Sequence, residues 1–112
     1  MHIRPRRLRK NPIIRELVAE TRLSKDMFVY PYFVVLGTGV KQAIDAMPGI
    51  FHFSVDMLVK DVAEGLKFGL NKVLLFGVGE NKCEDASSAY HPDSLVAQAV
   101  RELKKAFGDT VY

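Results

Sequence analysis

Apolar positions fall along this chain in two kinds of block, stripes at helical spacing and short unbroken runs. Asn11 and Pro12 open the first stripe, since asparagine is a good N-cap and proline suits the first helical position. Ile13, Ile14, Leu17 and Val18 follow, with Arg15, Glu16 and Glu20 opposite, so the pattern predicts a helix from Pro12 to about Thr21. Ser24-Lys25-Asp26 reads as a turn. Met27 to Val35 is aromatic and β-branched with no polar alternation, which predicts a strand buried on both faces of a parallel sheet. Pro31 within it removes a ladder donor and points to a bulge or to a strand that begins late. Gly37-Thr38-Gly39 ends that strand, Val40 to Gly49 reads as irregular, and Ile50-Phe51-His52-Phe53 reads as a short run that pairs locally.

Ser54 is a natural N-cap for a second helix, Val55 to Phe68, whose stripe is Val55, Leu58, Val59, Val62 and Leu66. Gly69 stands where a capping glycine belongs. Lys72 to Val78 is a second apolar run and hence a second buried strand. A polar loop is expected from Gly79 to Pro92, then a helix from about Asp93 to Phe107 with Leu95, Val96, Ala99, Val100, Leu103 and Phe107 inward. Gly108-Asp109 breaks it, and Thr110-Val111-Tyr112 reads as the first residues of another strand. Apolar strands alternating with amphipathic helices are repeated β–α units on a parallel sheet. Lys72 follows Met27 by 45 positions and Thr110 follows Lys72 by 38. Eight such units would need roughly 300 residues, the span of a (β/α)8 barrel. A sheet that stops on a three-residue stub reads as a piece of a longer fold.

With 112 residues, 48% hydrophobic and a net charge of +3, the chain is a globular domain by composition and not a disordered one. No apolar run approaches the roughly 20 residues of a membrane span. One cysteine, Cys83, cannot form an internal disulfide, so the expectation is a soluble chain of the cytoplasm with no membrane partner. The charge is uneven. Met1 to Lys25 holds eight basic residues against Glu16 and Glu20, which leaves the remainder at −3. Arg4-Pro5-Arg6-Arg7-Leu8-Arg9-Lys10 has the charge to grip phosphates, but no aromatic interleaving and no nucleic-acid fold follows it, so no nucleic-acid partner is expected. The other reading is an extended arm that docks on an acidic face of its own or a neighbouring subunit.

No phosphate-cradling loop is present. Gly77-Val78-Gly79 and Gly37-Thr38-Gly39 lack the third glycine of a dinucleotide fingerprint and read as turn glycines. Glu80, Cys83, Glu84, Asp85, Ser87, Ser88, Tyr90 and His91 crowd the loop after the second strand, at the end of a β/α sheet where sites are built. A metal set of Cys83, Asp85 and His91 fits no compact zinc spacing, and a Cys83–His91 thiol–imidazole pair rests on one cysteine and one histidine. Solvated loop polarity is the plainer account. His52 between two phenylalanines reads as a half-buried structural histidine. Lys72 enters its strand from the stability side of a barrel, and no lysine stands at the C-terminal end of a buried strand.

Several ordered motifs together resemble the N-terminal part of the porphobilinogen synthase (delta-aminolevulinic acid dehydratase) family. They are Arg4 to Arg9, Leu17 to Ser24, Tyr30 to Val35, Met47-Pro48-Gly49-Ile50, Leu75 to Val78, and Glu84-Asp85 with Ser88-Ala89-Tyr90 and Pro92 to Val96. Ala86, His91 and Ser94 stand where the family more often has glycine, asparagine and glycine. The resemblance implies an α/β fold: a TIM barrel in the full protein, with 1–11 as an N-terminal arm and 12–112 as its first two to three β/α units. It implies a lyase of heme biosynthesis that condenses two 5-aminolevulinate molecules to porphobilinogen, with zinc or magnesium in the full-length protein and none held by this stretch. It also implies a homo-oligomer, expected as an octamer, in which Arg4, Pro5, Arg6, Arg7, Leu8 and Arg9 are the oligomer contact. No catalytic or metal residue of the family falls on a position here, so these 112 residues alone are expected to be inactive. The alternative is a short non-catalytic assembly or binding module using the basic arm.

Overall fold

The structure is a computed structural model that describes residues 3, 5–79 and 84–112. Its framework is a four-stranded sheet: β1 (Tyr30–Val34), β2 (Lys41–Ala43), β3 (Phe51–Phe53) and β4 (Val73–Gly77), in the order β2-β3-β1-β4. Among the described residues four helices accompany it: α1 (Pro12–Leu17), α2 (Val55–Lys67), α3 (Ser87–Tyr90) and α4 (Leu95–Phe107). β1 runs parallel to β4 from Tyr30↔Val73 to Val34↔Gly77, and parallel to β3 only at Phe33↔His52 and Val34↔Phe53. Past Gly108–Thr110, a 3-10 turn, the Tyr112 amide donates to Asn71 O and the Val73 amide donates to Tyr112 O, each at 2.9 Å. That is the bonding of a parallel ladder, so Tyr112 lies beside β4 as the expected next strand would.

One face of the sheet carries the core. Tyr32, Val34 and Phe53 project from it onto Leu58 and Val62 of α2 and Ala99 and Leu103 of α4, with Val111 closing the edge. Those helical residues come from the two apolar stripes, which face where the sequence aimed them except at Val100, expected inward but 44% exposed. The opposite face is bare: Phe33 and Phe76 stack at 5.5 Å, and Phe76 and Leu74 are 45% and 52% exposed. The strands are thus apolar on both faces but covered on one, because α2 and α4 lie on the same side.

Several expectations are corrected. β1 begins at Tyr30 and not Met27, the late start that Pro31 pointed to as one of its two alternatives, and it has no bulge. Its odd-numbered positions aim their nitrogens toward β3, as the bond from Val35 N to Phe53 O shows, while Tyr30 N donates to Lys72 O on the β4 side. Pro31 therefore turns its missing donor to a stretch of edge that β3 does not reach. Lys41 to Ala43, expected to be irregular, forms β2 antiparallel to β3. β3 does more than pair locally, since it joins β2 to β1. α1 stops at Leu17 and not near Thr21. It buries no residue, and a short helix with an unsupported apolar stripe gains too little to propagate; Arg22 caps its exposed end through Glu16 O at 2.7 Å. Ser87 to Tyr90 breaks the expected polar loop with α3. α2 ends at Lys67, and Gly69 follows with φ +84°, the left-handed capping conformation glycine allows.

Candidate functional site

The C-terminal ends of β1 and β4 converge on two loops, Leu36 to Val40 and the segment after Gly77. The first loop is tied to α2 through Ser54, which is fully buried. Ser54 occupies the N-cap position of α2, yet its hydroxyl leaves the helix and accepts from Val40 N at 2.9 Å while donating to the Asp56 carboxylate. Asp56 in turn takes the Gly39 amide on both oxygens, at 3.1 and 2.9 Å. The Ser54 hydroxyl, followed by the Gly39 amide, holds the Asp56 carboxyl below the ordinary carboxylate range. Gly37, at φ +121°, gives the turn that lets Gly39 reach Asp56.

Behind these strand ends lies a cavity of about 590 Å³ whose walls include Leu36, Gly77, Ser88, His91, Ser94 and Val96. Gly77 belongs to β4 and not to a turn. A Cβ there would lie 2.8 Å from Val96 Cγ2, so the glycine admits α4 against the strand. Ser94 caps α4, accepting from Ala97 N at 3.3 Å. Asp85 accepts from Ser87 N at 3.1 Å, which lowers its carboxyl pKa. Ala86 between them has φ +54°, a conformation that L-residues other than glycine seldom take. His91 Nδ1 accepts from Asp93 N at 3.1 Å, which leaves Nε2 as the nitrogen that carries the proton in the neutral ring.

Cys83, which the metal set with Asp85 and His91 and the thiol–imidazole pair with His91 both need, lies outside the described residues, as does Glu80 of the same loop. Among the described residues no three of His, Cys, Asp and Glu gather closely enough to hold an ion. The better-placed carboxylates already accept hydrogen bonds, Asp56 from Gly39 and Ser54 and Asp85 from Ser87. The described residues therefore do not fit a zinc or magnesium site. His52 is half-buried with its ring edge-on to Phe33 at 6.1 Å, and Lys72 sits at the N-terminal end of β4, where its ammonium donates to Asn71.

Of the candidate arm, Arg4 lies outside the described residues. Pro5, Arg6, Arg7, Leu8 and Arg9 are all exposed, with Arg7–Arg9 in a 3-10 turn. The molecule measures 66 × 34 × 26 Å. Sequence reasoning missed a third cluster on the helical side of the sheet. Tyr32 is 4% exposed, and its hydroxyl donates to Asp61 Oδ2 at 3.1 Å. Burial, and then the Asp61 charge, hold the Tyr32 hydroxyl's pKa well above its ordinary value. The alternation of Tyr30, Tyr32 and Val34 was the available signal, since it places both tyrosines on the face that α2 covers.

Known proteins with this pattern are consistent with one another. The family described as delta-aminolevulinic acid dehydratase matches residues 2–112. The chain is 43% identical over 104 residues to the delta-aminolevulinic acid dehydratase of Ruminiclostridium josui, covering 93% of this chain and 51% of that protein. It is 43% identical over 108 residues to that of Bacillus subtilis strain 168, covering 96% of this chain and 33% of the relative. In structure it is similar to the enzyme of Toxoplasma gondii ME49, solved in complex with the reaction product porphobilinogen. That match has a TM-score of 0.81 at 36% identity and covers 97% of this chain and 31% of the other. The chain spans from about a third to about half the length of these relatives. Among the described residues no helix is long and apolar enough to cross a membrane.

Proposed function

The chain belongs to the delta-aminolevulinic acid dehydratase family, and from that membership we propose that it forms the N-terminal portion of a cytoplasmic enzyme condensing two 5-aminolevulinate molecules to porphobilinogen. The observation that carries this reading is the parallel succession β1, β4, Tyr112, in chain order and side by side, with α2 and α4 between on one face. Consecutive β–α units laid down this way are how a (β/α)8 barrel begins, and the bare face with Phe33 and Phe76 would line its interior. Residues 12–112 supply these first units, and 1–11 form an arm whose Arg4 to Arg9 stretch contacts a neighbouring copy in a homo-oligomer, an octamer by family resemblance. Zinc or magnesium, which the family uses, would be held by residues outside those described here, so no step of the reaction is assigned to this chain's own side chains. Their contribution is structural: the Ser54–Asp56–Gly39 clamp fixes the loop at the catalytic end of β1.

The test joins intact mass to activity. The native protein isolated from its source cells is expected to have a mass about three times 12.6 kDa, given that the chain spans 33% of a full-length relative, and to form porphobilinogen. The purified 112-residue chain is expected to form none. A native mass of 12.6 kDa would overturn this reading in favour of a short assembly module that uses the basic arm. Porphobilinogen formed by the 112-residue chain would overturn the placement of the catalytic groups elsewhere.

A further inference from the structure

The loop from Leu36 to Val40 leaves β1 at its C-terminal end, the end at which the β–α loops of a (β/α)8 barrel build the site. Two of its five residues are glycine, which adds backbone freedom that ordering must remove. The start of α2 supplies that order by gripping Val40 and Gly39. Val40 N donates to Ser54 Oγ at 2.9 Å, Val40 O accepts from Ser54 N at 3.0 Å, and Gly39 N donates to both Asp56 oxygens. The helix gives something up for this. Ser54 stands at the N-cap, where a serine hydroxyl ordinarily accepts from the first-turn amides, and here it makes no such bond. Ser94, in the same position on α4, does cap its helix by accepting from Ala97 N at 3.3 Å. A local rule kept in one helix and broken in the other marks a place where more than helix stability decides the residue.

We propose that Ser54 and Asp56 are positioning residues for the substrate: through Val40 and Gly39 they hold the Leu36 to Val40 loop in the form that binds 5-aminolevulinate. The inference rests on the reading of this chain as part of a porphobilinogen-forming enzyme, and it adds which side chains prepare the loop. Every group of the clamp lies between Gly39 and Asp56 with its partner in place. The loop carries no titratable side chain, so it has no proton to give or take. What it offers a substrate is shape, its backbone amides and the hydroxyl of Thr38 at its exposed tip. Its contribution is therefore to binding and orientation. An unclamped loop would have to be ordered by the substrate itself, and that cost weakens binding. Loss of the clamp thus belongs in KM and leaves the pH dependence of kcat alone.

The test is steady-state kinetics of porphobilinogen formation by the full-length native protein and its variants. Thermal melting and hydrogen exchange over residues 36–40, read by mass spectrometry, accompany it. Asp56→Ala should raise KM for 5-aminolevulinate about tenfold, the scale of losing a charge-assisted hydrogen bond. It should also speed exchange in the loop and leave the pH profile of kcat in place. Asp56→Asn, which keeps an acceptor for the Gly39 amide, should recover much of the KM. Ser54→Ala should raise KM several-fold, and it carries the test if Asp56→Ala fails to fold. Glu64→Gln, an exposed acidic change on the same helix, should leave KM and exchange unchanged. A lower Tm or faster exchange with KM unmoved would make the clamp a stabilising device only and overturn the proposal. A raised KM with exchange unchanged would overturn the loop as the route by which Asp56 acts. Either result in an active parent leaves the reading of function standing, whereas a parent that forms no porphobilinogen would overturn both.

Discussion

Adding one methyl group at Gly77 should separate α4 from the sheet. An ideal Cβ at this position lies 2.8 Å from Val96 Cγ2, whereas favourable carbon contacts begin near ~3.5 Å, so the overlap is about 0.7 Å. Val96 cannot swing aside at low cost, because a β-branched residue in a helix has one strongly preferred χ1 rotamer. Relief must come from moving the first turn of α4 off β4, and the buried contacts of Ala99 and Leu103 behind it resist that motion. Overpacking of this kind costs about 1–3 kcal/mol, and in a domain of this size each kcal/mol lowers Tm by roughly 4 °C or more. Gly77→Ala should therefore lower the urea midpoint and the melting temperature followed by far-ultraviolet circular dichroism. Val96→Ala alone removes partly buried methyls and costs about 1 kcal/mol. The double variant should be no less stable than Val96→Ala, a coupling of at least ~1 kcal/mol. If Gly77→Ala lies within about 0.5 kcal/mol of the parent, or if the two costs simply add, the close approach of α4 is not what requires glycine there.

Gly65 calls for the opposite result. It sits inside α2, where an added Cβ meets the Tyr32 hydroxyl at 3.6 Å and Leu70 Cβ at 3.7 Å, both ordinary contacts, so Gly65→Ala should stabilise the chain by about 0.5–1 kcal/mol through helix propensity; a lower urea midpoint would contradict this. The Tyr32 hydroxyl, whose pKa burial and Asp61 raise, predicts an alkaline weakness. The unfolded chain releases this proton near pH ~10 while the folded chain retains it, so the stabilisation is whole below that pH and is lost as pH climbs further. Urea midpoints measured from about pH 8 to 11 should fall more steeply for the parent than for Tyr32→Phe, and equal slopes would refute the assignment.

The elements that the chain announced are those whose local chemistry and burial agree. α2 lies between Ser54 and Gly69 with its stripe inward, and β1 and β4 occupy the two apolar runs. β2 gave no signal because Lys41, Gln42 and Ala43 carry no apolar pattern; they are exposed, and only pairing with β3 makes them a strand. The length of α1 was overestimated because periodicity reports a stripe without reporting whether anything covers it. Ser54 was placed correctly as the cap residue of α2, but its hydroxyl serves a contact with Val40, fourteen positions away, that no local rule anticipates. The candidate site was legible only as a region. Tyr32 and Asp61 are 29 positions apart, and Gly77 read as a turn because its reason for being glycine lies on another element. The basic stretch Arg4 to Lys10 was plain in the sequence.

The limited reach of β3 along β1 also gives the sheet a direction. A strand edge with free amides and carbonyls invites any extended chain to zip alongside it. On the outer side, β2 is three residues long and carries Lys41, a short charged border that resists such pairing. Along the uncovered part of β1 the inviting amide is missing altogether, because Pro31 occupies the position that faces outward. β4 has neither guard: Val73 to Gly77 contains no proline and no charge, and Tyr112 already bonds at its start. Of the two borders, β4 is thus the one whose chemistry invites the next strand in chain order, and Tyr112 is the first residue to take that place.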